Sequence, residues 1–183
     1  MADVTSGERG IEAADLRVEP QPQFIVGSLR YFDAAGPLSA ELARIVGGPL
    51  PGPLRAARYP ADGSSDELIL AWRGPTETVL MSTSRVMFGR IASCAAEHPA
   101  AGCLVEQTGG LRTWRVSGAR TRGLLLRVGS NATVPELGEA RTSRVAELPV
   151  TALCVRPGEV LLLCERVYGP HLLGWISASA ADF

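Results

Sequence analysis

The feature that most restricts this chain is that it reads as the same statement made twice. GPLSAELARIVG, Gly36 to Gly47, and GARTRGLLLRVG, Gly118 to Gly129, have the same length, begin and end on glycine, and carry an arginine shortly before a closing Val-Gly. Glu77 stands to Glu159 as Gly36 does to Gly118, 82 positions along. A period of this kind predicts two copies of one supersecondary unit rather than one continuous architecture.

The copies agree in type as well as in spacing. Each opens on an extended run, Phe24 to Phe32 or Leu111 to Ser117. Each then has a helix, with Leu38, Leu42 and Ile45 as the apolar face of the first and Leu124, Leu125 and Val128 of the second, each closed by a C-terminal glycine. Three strands follow: 54–59, 67–73 and 77–82 in the first copy, 141–148, 150–156 and 159–165 in the second. The last two are joined by Arg73-Gly74-Pro75-Thr76-Glu77 and by Arg156-Pro157-Gly158-Glu159, whose proline and glycine favour a tight turn. A closing helix ends each copy, residues 84–97 with Val86, Ile91 and Cys94 inward, and residues 169–180 with Leu172, Leu173 and Ile176 inward. The expected fold is α+β: two β-α-β-β-β-α units in tandem, residues 24–99 and 100–183, with sheets covered by helices on one face. Residues 1–23 are acidic, polar and aperiodic, and read as a flexible arm.

Composition removes several functional classes. With 46% hydrophobic and 20% charged residues the chain is a globular folder. Its eighteen basic residues are all arginine, scattered among nineteen acids, so no basic stripe exists for a nucleic acid. No apolar run approaches the roughly 18 residues of a membrane span, and no secretory signal opens the chain; a reducing cytoplasm is expected, with Cys154 and Cys164 acting as small hydrophobes within apolar runs. Cys94, Cys103, Cys154 and Cys164 have no zinc-ligand spacing, and His98 and His171, the two histidines, flank prolines at helix ends, so neither a metal site nor a catalytic constellation is expected. No dinucleotide fingerprint and no lysine are present for flavin, nicotinamide or pyridoxal chemistry.

Two features remain as site candidates. Gly109-Gly110 reads as a hairpin turn, across which Glu106, Arg112 and Arg115 would face one another and grip a carboxylate such as that of folate, or simply pair across strands. Trp72, Trp114 and Trp175 are the large anchors of a chain only 5% aromatic. Trp175, between the inward residues of the last helix, is assigned to a subunit interface, with core burial as the alternative.

The order and spacing of AWRGPTETVLMS, VEQTGGLRTWRVSGARTRGLLLRVGS and ELGEARTSRVAELPVTALCVRPGEVLLLCERVYGPHLLGWI resemble the gamma subunit of heterotetrameric sarcosine oxidase and, more distantly, the folate-binding half of glycine-cleavage aminomethyltransferase. The resemblance covers roughly residues 31–180. It implies a non-redox, structural subunit beside flavoprotein alpha- and beta-type subunits in oxidative N-demethylation, with FAD, FMN, NAD and tetrahydrofolate on those partners and none here. Where the aminomethyltransferases place an aspartate pair, this chain has Pro149, Val150 and Thr151. Where they read Asp-x-Ser-His-Met-Gly, residues 105–110 lack the histidine. The alternatives are a stand-alone tetrahydrofolate-dependent one-carbon transferase and a regulatory small-molecule binder on the same scaffold.

Overall fold

The structure, a computed structural model, describes residues 10–13, 15–60 and 66–181. These form eleven strands and four helices: β1 (Ile11–Ala13), β2 (Leu16–Pro20), β3 (Ile25–Tyr31), α1 (Pro37–Val46), β4 (Ala56–Pro60), β5 (Glu67–Gly74), β6 (Glu77–Ser82), α2 (Arg85–Glu97), β7 (Gly102–Glu106), β8 (Leu111–Ser117), α3 (Thr121–Val128), β9 (Glu139–Val145), β10 (Leu148–Arg156), β11 (Glu159–Glu165) and α4 (Gly169–Ala180). The β-α-β-β-β-α order appears twice, from β3 to α2 and from β8 to α4.

The strands make two antiparallel sheets, ordered β4-β5-β6-β3-β7 and β9-β10-β11-β8-β2-β1. Corresponding strands of the two copies therefore occupy corresponding places. Along the central strands, side chains alternate between two apolar environments. Leu68 and Leu70 join Leu38, Leu42, Phe88 and Ile91 under the first helix pair, whereas Ile69 and Ala71 meet Leu153, Leu161 and Leu163 of the other sheet. Val160 and Leu162 pack with Trp114, Leu124, Leu172 and Ile176 under α3 and α4. The result is a four-layer stack, helices–sheet–sheet–helices. A strand buried on both faces needs a continuous apolar run, which is what Leu68–Ala71 and Val160–Cys164 supply.

The leading strands are exchanged. β2 runs into β3 yet pairs with β8 of the other sheet, with Val18 opposite Val116. β7 runs into β8 yet pairs with β3, with Leu104 opposite Leu29. Each crossover leaves its sheet on a glutamine: Gln21 N–H donates to Thr113 O at 2.9 Å, and Gln107 N–H to Val26 O at 2.7 Å. On the opposite flank the sheets are stitched by Ala56 N–H to Gly138 O at 2.9 Å and Ala140 N–H to Leu54 O at 3.0 Å.

Four expectations are corrected here. Residues 11–13 and 16–20 are strands rather than arm, because Leu16 and Val18 are buried in the second core; the rest of the expected arm up to residue 9 lies outside the described residues. The turn at 107–110 closes no hairpin, since the strands beside it belong to different sheets. Val86 is exposed and Phe88 takes the inward place on α2. The strand expected over 141–148 is broken at Ala146 and Glu147, where φ values of 50° and 63° turn β9 into β10.

The glycines also divide in role. Gly47 caps α1 in the left-handed conformation, φ 78°. Gly129, after α3, has φ −146° and ψ −129°, outside the left-handed region, and an added Cβ would lie 2.5 Å from Thr133 Oγ1.

Val18 is fully buried, so Val18→Ala should cost about 2 kcal/mol and lower the melting temperature by roughly 4–8 °C; an unpacked arm would show no change. Glu147 is exposed and held at positive φ, so Glu147→Gly should stabilise the chain by about 1 kcal/mol in chemical denaturation.

Candidate functional site

Both hairpins between the last two strands are irregular, with a register shift between Trp72 and Gly74 in one and between Leu153 and Arg156 in the other. A bulge of this kind re-aims a side chain. Here each bulge brings an arginine to the glutamate that opens the next strand: Arg73 Nη1 donates to Glu77 Oε1 at 3.1 Å, and Arg156 Nη1 lies 3.8 Å from Glu159 Oε2.

The Glu159 end of the inter-sheet layer is the denser of the two. Arg115 Nε lies 3.5 Å from Glu159 Oε2. Glu67, only 8% exposed, enters from the opposite sheet and meets Arg156 Nη2 at 2.8 Å, Arg58 Nε at 3.1 Å and Arg115 Nη2 at 3.7 Å. Three guanidiniums on one buried carboxylate compensate its desolvation and fix the sheets against each other. At the Glu77 end, Ser28 Oγ donates to Glu77 Oε1 at 2.9 Å and Arg30 Nη2 lies 3.5 Å from Glu77 Oε2.

The expected carboxylate grip does not assemble as Glu106, Arg112 and Arg115 facing across one hairpin. Glu106, on β7 in the five-stranded sheet, accepts from Arg85 at 2.8 Å and from Thr108 at 2.9 Å. Those bonds, Arg85 first, hold its carboxyl below the usual range. Arg115 and Arg112 lie on β8 in the six-stranded sheet, and Arg115 serves Glu67 and Glu159.

The outer face of α4 is the second notable region. Leu172, Ile176 and Ala180 point into the core, while Trp175 is 51% exposed, with the His171 ring centroid 6.5 Å from its own. Tyr168 and Val167 continue the exposed stripe just before the helix. No residue from Gly169 to Ala180 is charged. The counterpart helix α2 presents Arg85, Arg90 and Glu97 to solvent. Trp114, by contrast, is wholly buried, and Trp72 is partly so.

Other chemical groups are structurally occupied. His98 Nε2 lies 3.1 Å from Glu41 Oε2, tying α2 to α1, and this bond is the main reason the Glu41 carboxyl is depressed. Burial pushes the Cys94 and Cys154 thiols up, away from the nucleophilic thiolate. Among the described residues no group of three or more His, Cys, Asp or Glu could hold a metal ion. A cleft of about 320 Å³ beside α1 is lined by Tyr31, Ala35, Ser39, Ala43, Pro49 and Leu50 among others, with no carboxylate or guanidinium on its wall. No helix of the described residues is long and apolar enough to cross a membrane.

One chain of heterotetrameric sarcosine oxidase from Corynebacterium sp. U-96, in complex with pyrrole 2-carboxylate, superposes with a TM-score of 0.78 at 16% identity over 92% of this chain and 85% of that one. Glycine cleavage system aminomethyltransferase T from Bartonella henselae superposes with a TM-score of 0.64 at 11% identity over 90% of this chain and 46% of that one. The fold is aminomethyltransferase-like. The chain spans about half the length of the transferase but most of the oxidase chain. No protein-family model matches the sequence, and no curated protein matches it.

Sequence reasoning missed Glu67, whose partners are spread from residue 58 to residue 156. The available signal was a glutamate opening the apolar run Leu68–Trp72. Glu67→Gln should cost about 2 kcal/mol by leaving three partly exposed guanidiniums without their shared anion, whereas Glu106→Gln, on the surface, should stay within about 0.5 kcal/mol in the same denaturation experiment.

Proposed function

We propose that this chain is a non-redox, gamma-type subunit of a heteromeric flavin-dependent amine oxidase of the sarcosine oxidase class, serving assembly beside catalytic subunits in oxidative N-demethylation. The observation that carries the reading is the reciprocal coverage. The chain matches one chain of a heterotetrameric oxidase nearly end to end, 92% against 85%, but is only about half of a complete transferase. In this reading FAD, FMN, NAD and tetrahydrofolate belong to the flavoprotein alpha- and beta-type partners, and the complex is cytoplasmic.

The uncharged face of α4 is the surface assigned to those partners, with Trp175 as its anchor. A helix whose outer side carries no charge is suited to burial on both sides, and large aromatics dominate interface energetics. Co-expression with the flavoprotein subunits should give a coloured complex containing this chain in stoichiometric amount. Trp175→Ala should leave the melting of the isolated chain within about 0.5 kcal/mol, as befits an exposed residue, and should weaken assembly by about 2 kcal/mol. Assembly at unchanged affinity would remove Trp175 from the interface. Failure of any flavoprotein to co-purify, together with saturable tetrahydrofolate binding by the chain alone, would turn the assignment to the one-carbon transferase reading.

A further inference from the structure

The duplication makes two sheet edges comparable. Leu29 opposite Thr78 corresponds to Val116 opposite Val160, so Leu104, which pairs with Leu29, is the counterpart of Val18, which pairs with Val116. In the six-stranded sheet β1 covers that strand, with Ile11 opposite Val18. In the five-stranded sheet β7 is the last strand among the described residues. Edge strands are usually guarded by charge. On β2 the residues flanking Val18 are Arg17 and Glu19, an ion pair. Their counterparts on β7 are Cys103 and Val105, uncharged and exposed, Val105 at 52%. The open edge is therefore the unguarded one.

The backbone of that edge has a definite pattern. Phe32 N–H donates to Ala101 O at 3.0 Å and Gln107 N–H to Val26 O at 2.7 Å. The alternation of an antiparallel ladder then turns the main-chain groups of Cys103 and Val105 toward β3 and those of Gly102, Leu104 and Glu106 to the open side. Gly102 N–H is taken by His98 O at 3.2 Å. The edge thus offers the N–H groups of Leu104 and Glu106 and the carbonyls of Gly102, Leu104 and Glu106. A second β7, related by a twofold axis at Leu104, matches this set. Leu104 bonds Leu104 of the second copy in both directions, and each Glu106 N–H meets the Gly102 carbonyl of the other copy, so every donor finds an acceptor. Cys103 stands opposite Val105 of the second copy, and Glu106, the one charged residue of β7, stands opposite a glycine. No like charges meet. Arg85, at the start of α2, donates to Glu106, so α2 runs antiparallel to β7 and the same axis sets it antiparallel to its mate. The Arg85 end of one α2 is thereby brought toward the Glu97 end of the other, with opposed helix dipoles. We propose that β7 is a self-pairing edge, which joins two copies of this chain as a twofold dimer with one sheet continuous across both. The proposal does not rest on the subunit reading.

Sedimentation of the purified full-length chain under reducing conditions should show a concentration-dependent monomer–dimer equilibrium. Val105→Lys places a charge at an exposed position of the pairing and leaves the core alone, so it should weaken the dimer roughly tenfold or more with melting unchanged. The register is read by cross-linking. The double variant Cys103→Ser, Val105→Cys, mixed with the unaltered chain under mild oxidation, should form a mixed disulfide roughly tenfold faster than either protein forms one alone. Directly opposite Cβ atoms lie near bridging distance, whereas diagonal ones do not. A chain that sediments as a monomer at all concentrations, a dimer indifferent to Val105→Lys, or cross-linking as fast in the unaltered chain alone would each overturn the proposal. A monomer that loses co-purifying flavoprotein subunits on Val105→Lys would overturn it in favour of a partner's strand on the same edge.

Discussion

Two sheets that are each roofed by helices on one face have nowhere to place their other face except against one another. The layer formed by Phe24, Val26, Ile69, Ala71, Val79 and Met81 on one side and Leu111, Leu153, Leu161 and Leu163 on the other follows from that constraint. Neither sheet could leave such a face in water without exposing an apolar patch larger than soluble monomers usually tolerate. The exchange of β2 and β7 then makes separation impossible without breaking strand pairs in both sheets. The duplicated halves are thus joined by strand pairing in both directions, β2 to β8 and β7 to β3.

The same layer dictates where charge can sit. Its middle is apolar, so ionisable groups are admitted only at its ends, where strands begin and bulges occur. Glu67 is tolerated at low exposure because three arginines surround it, and those arginines come from both sheets. The ion-pair network is thus a geometric lock on sheet alignment as much as a source of stability, since a paired buried charge gains little over an apolar replacement but loses heavily when one partner is removed.

Local pattern was legible wherever an element's own residues determine it. The bounds of β6, β8, β11 and α4 agree with those read from periodicity and turn chemistry, because β6 and β11 are apolar runs opened by a glutamate, β8 alternates buried and partly exposed residues between Gly110 and Gly118, and α4 carries Leu172 and Ile176 at helical spacing after Gly169-Pro170. What could not be read locally was partnership. Residues 16–20 alternate Leu-Arg-Val-Glu-Pro, too short and polar to be distinguished from a tail until β8 is alongside. Gly109-Gly110 has the chemistry of a hairpin turn, and only the pairing of β7 with β3 shows that it is a crossover. Ala146-Glu147 carries no turn signal, and the left-handed pair is imposed by docking against the end of α3, where Ala146 N–H donates to Val128 O at 2.6 Å. The Glu67 network gathers residues separated by up to about half the chain, a distance no window of periodicity spans.

Duplication makes each half a reference for the other, and this is what turns exposure into an argument. An exposed tryptophan alone means little, since much of any protein surface is apolar. When α2 and α4 are aligned on Phe88, Ile91 and Ala95 against Gly169, Leu172 and Ile176, the solvent positions held by Arg90 and Glu97 in one become His171 and Ala178 in the other. Two helices that solve the same packing problem on their inner faces therefore differ on their outer faces, where internal packing makes no demand. The absence of charge on the outer side of α4 is not required by this chain's own core, and it is on that ground that the proposed subunit reading assigns the face to a partner.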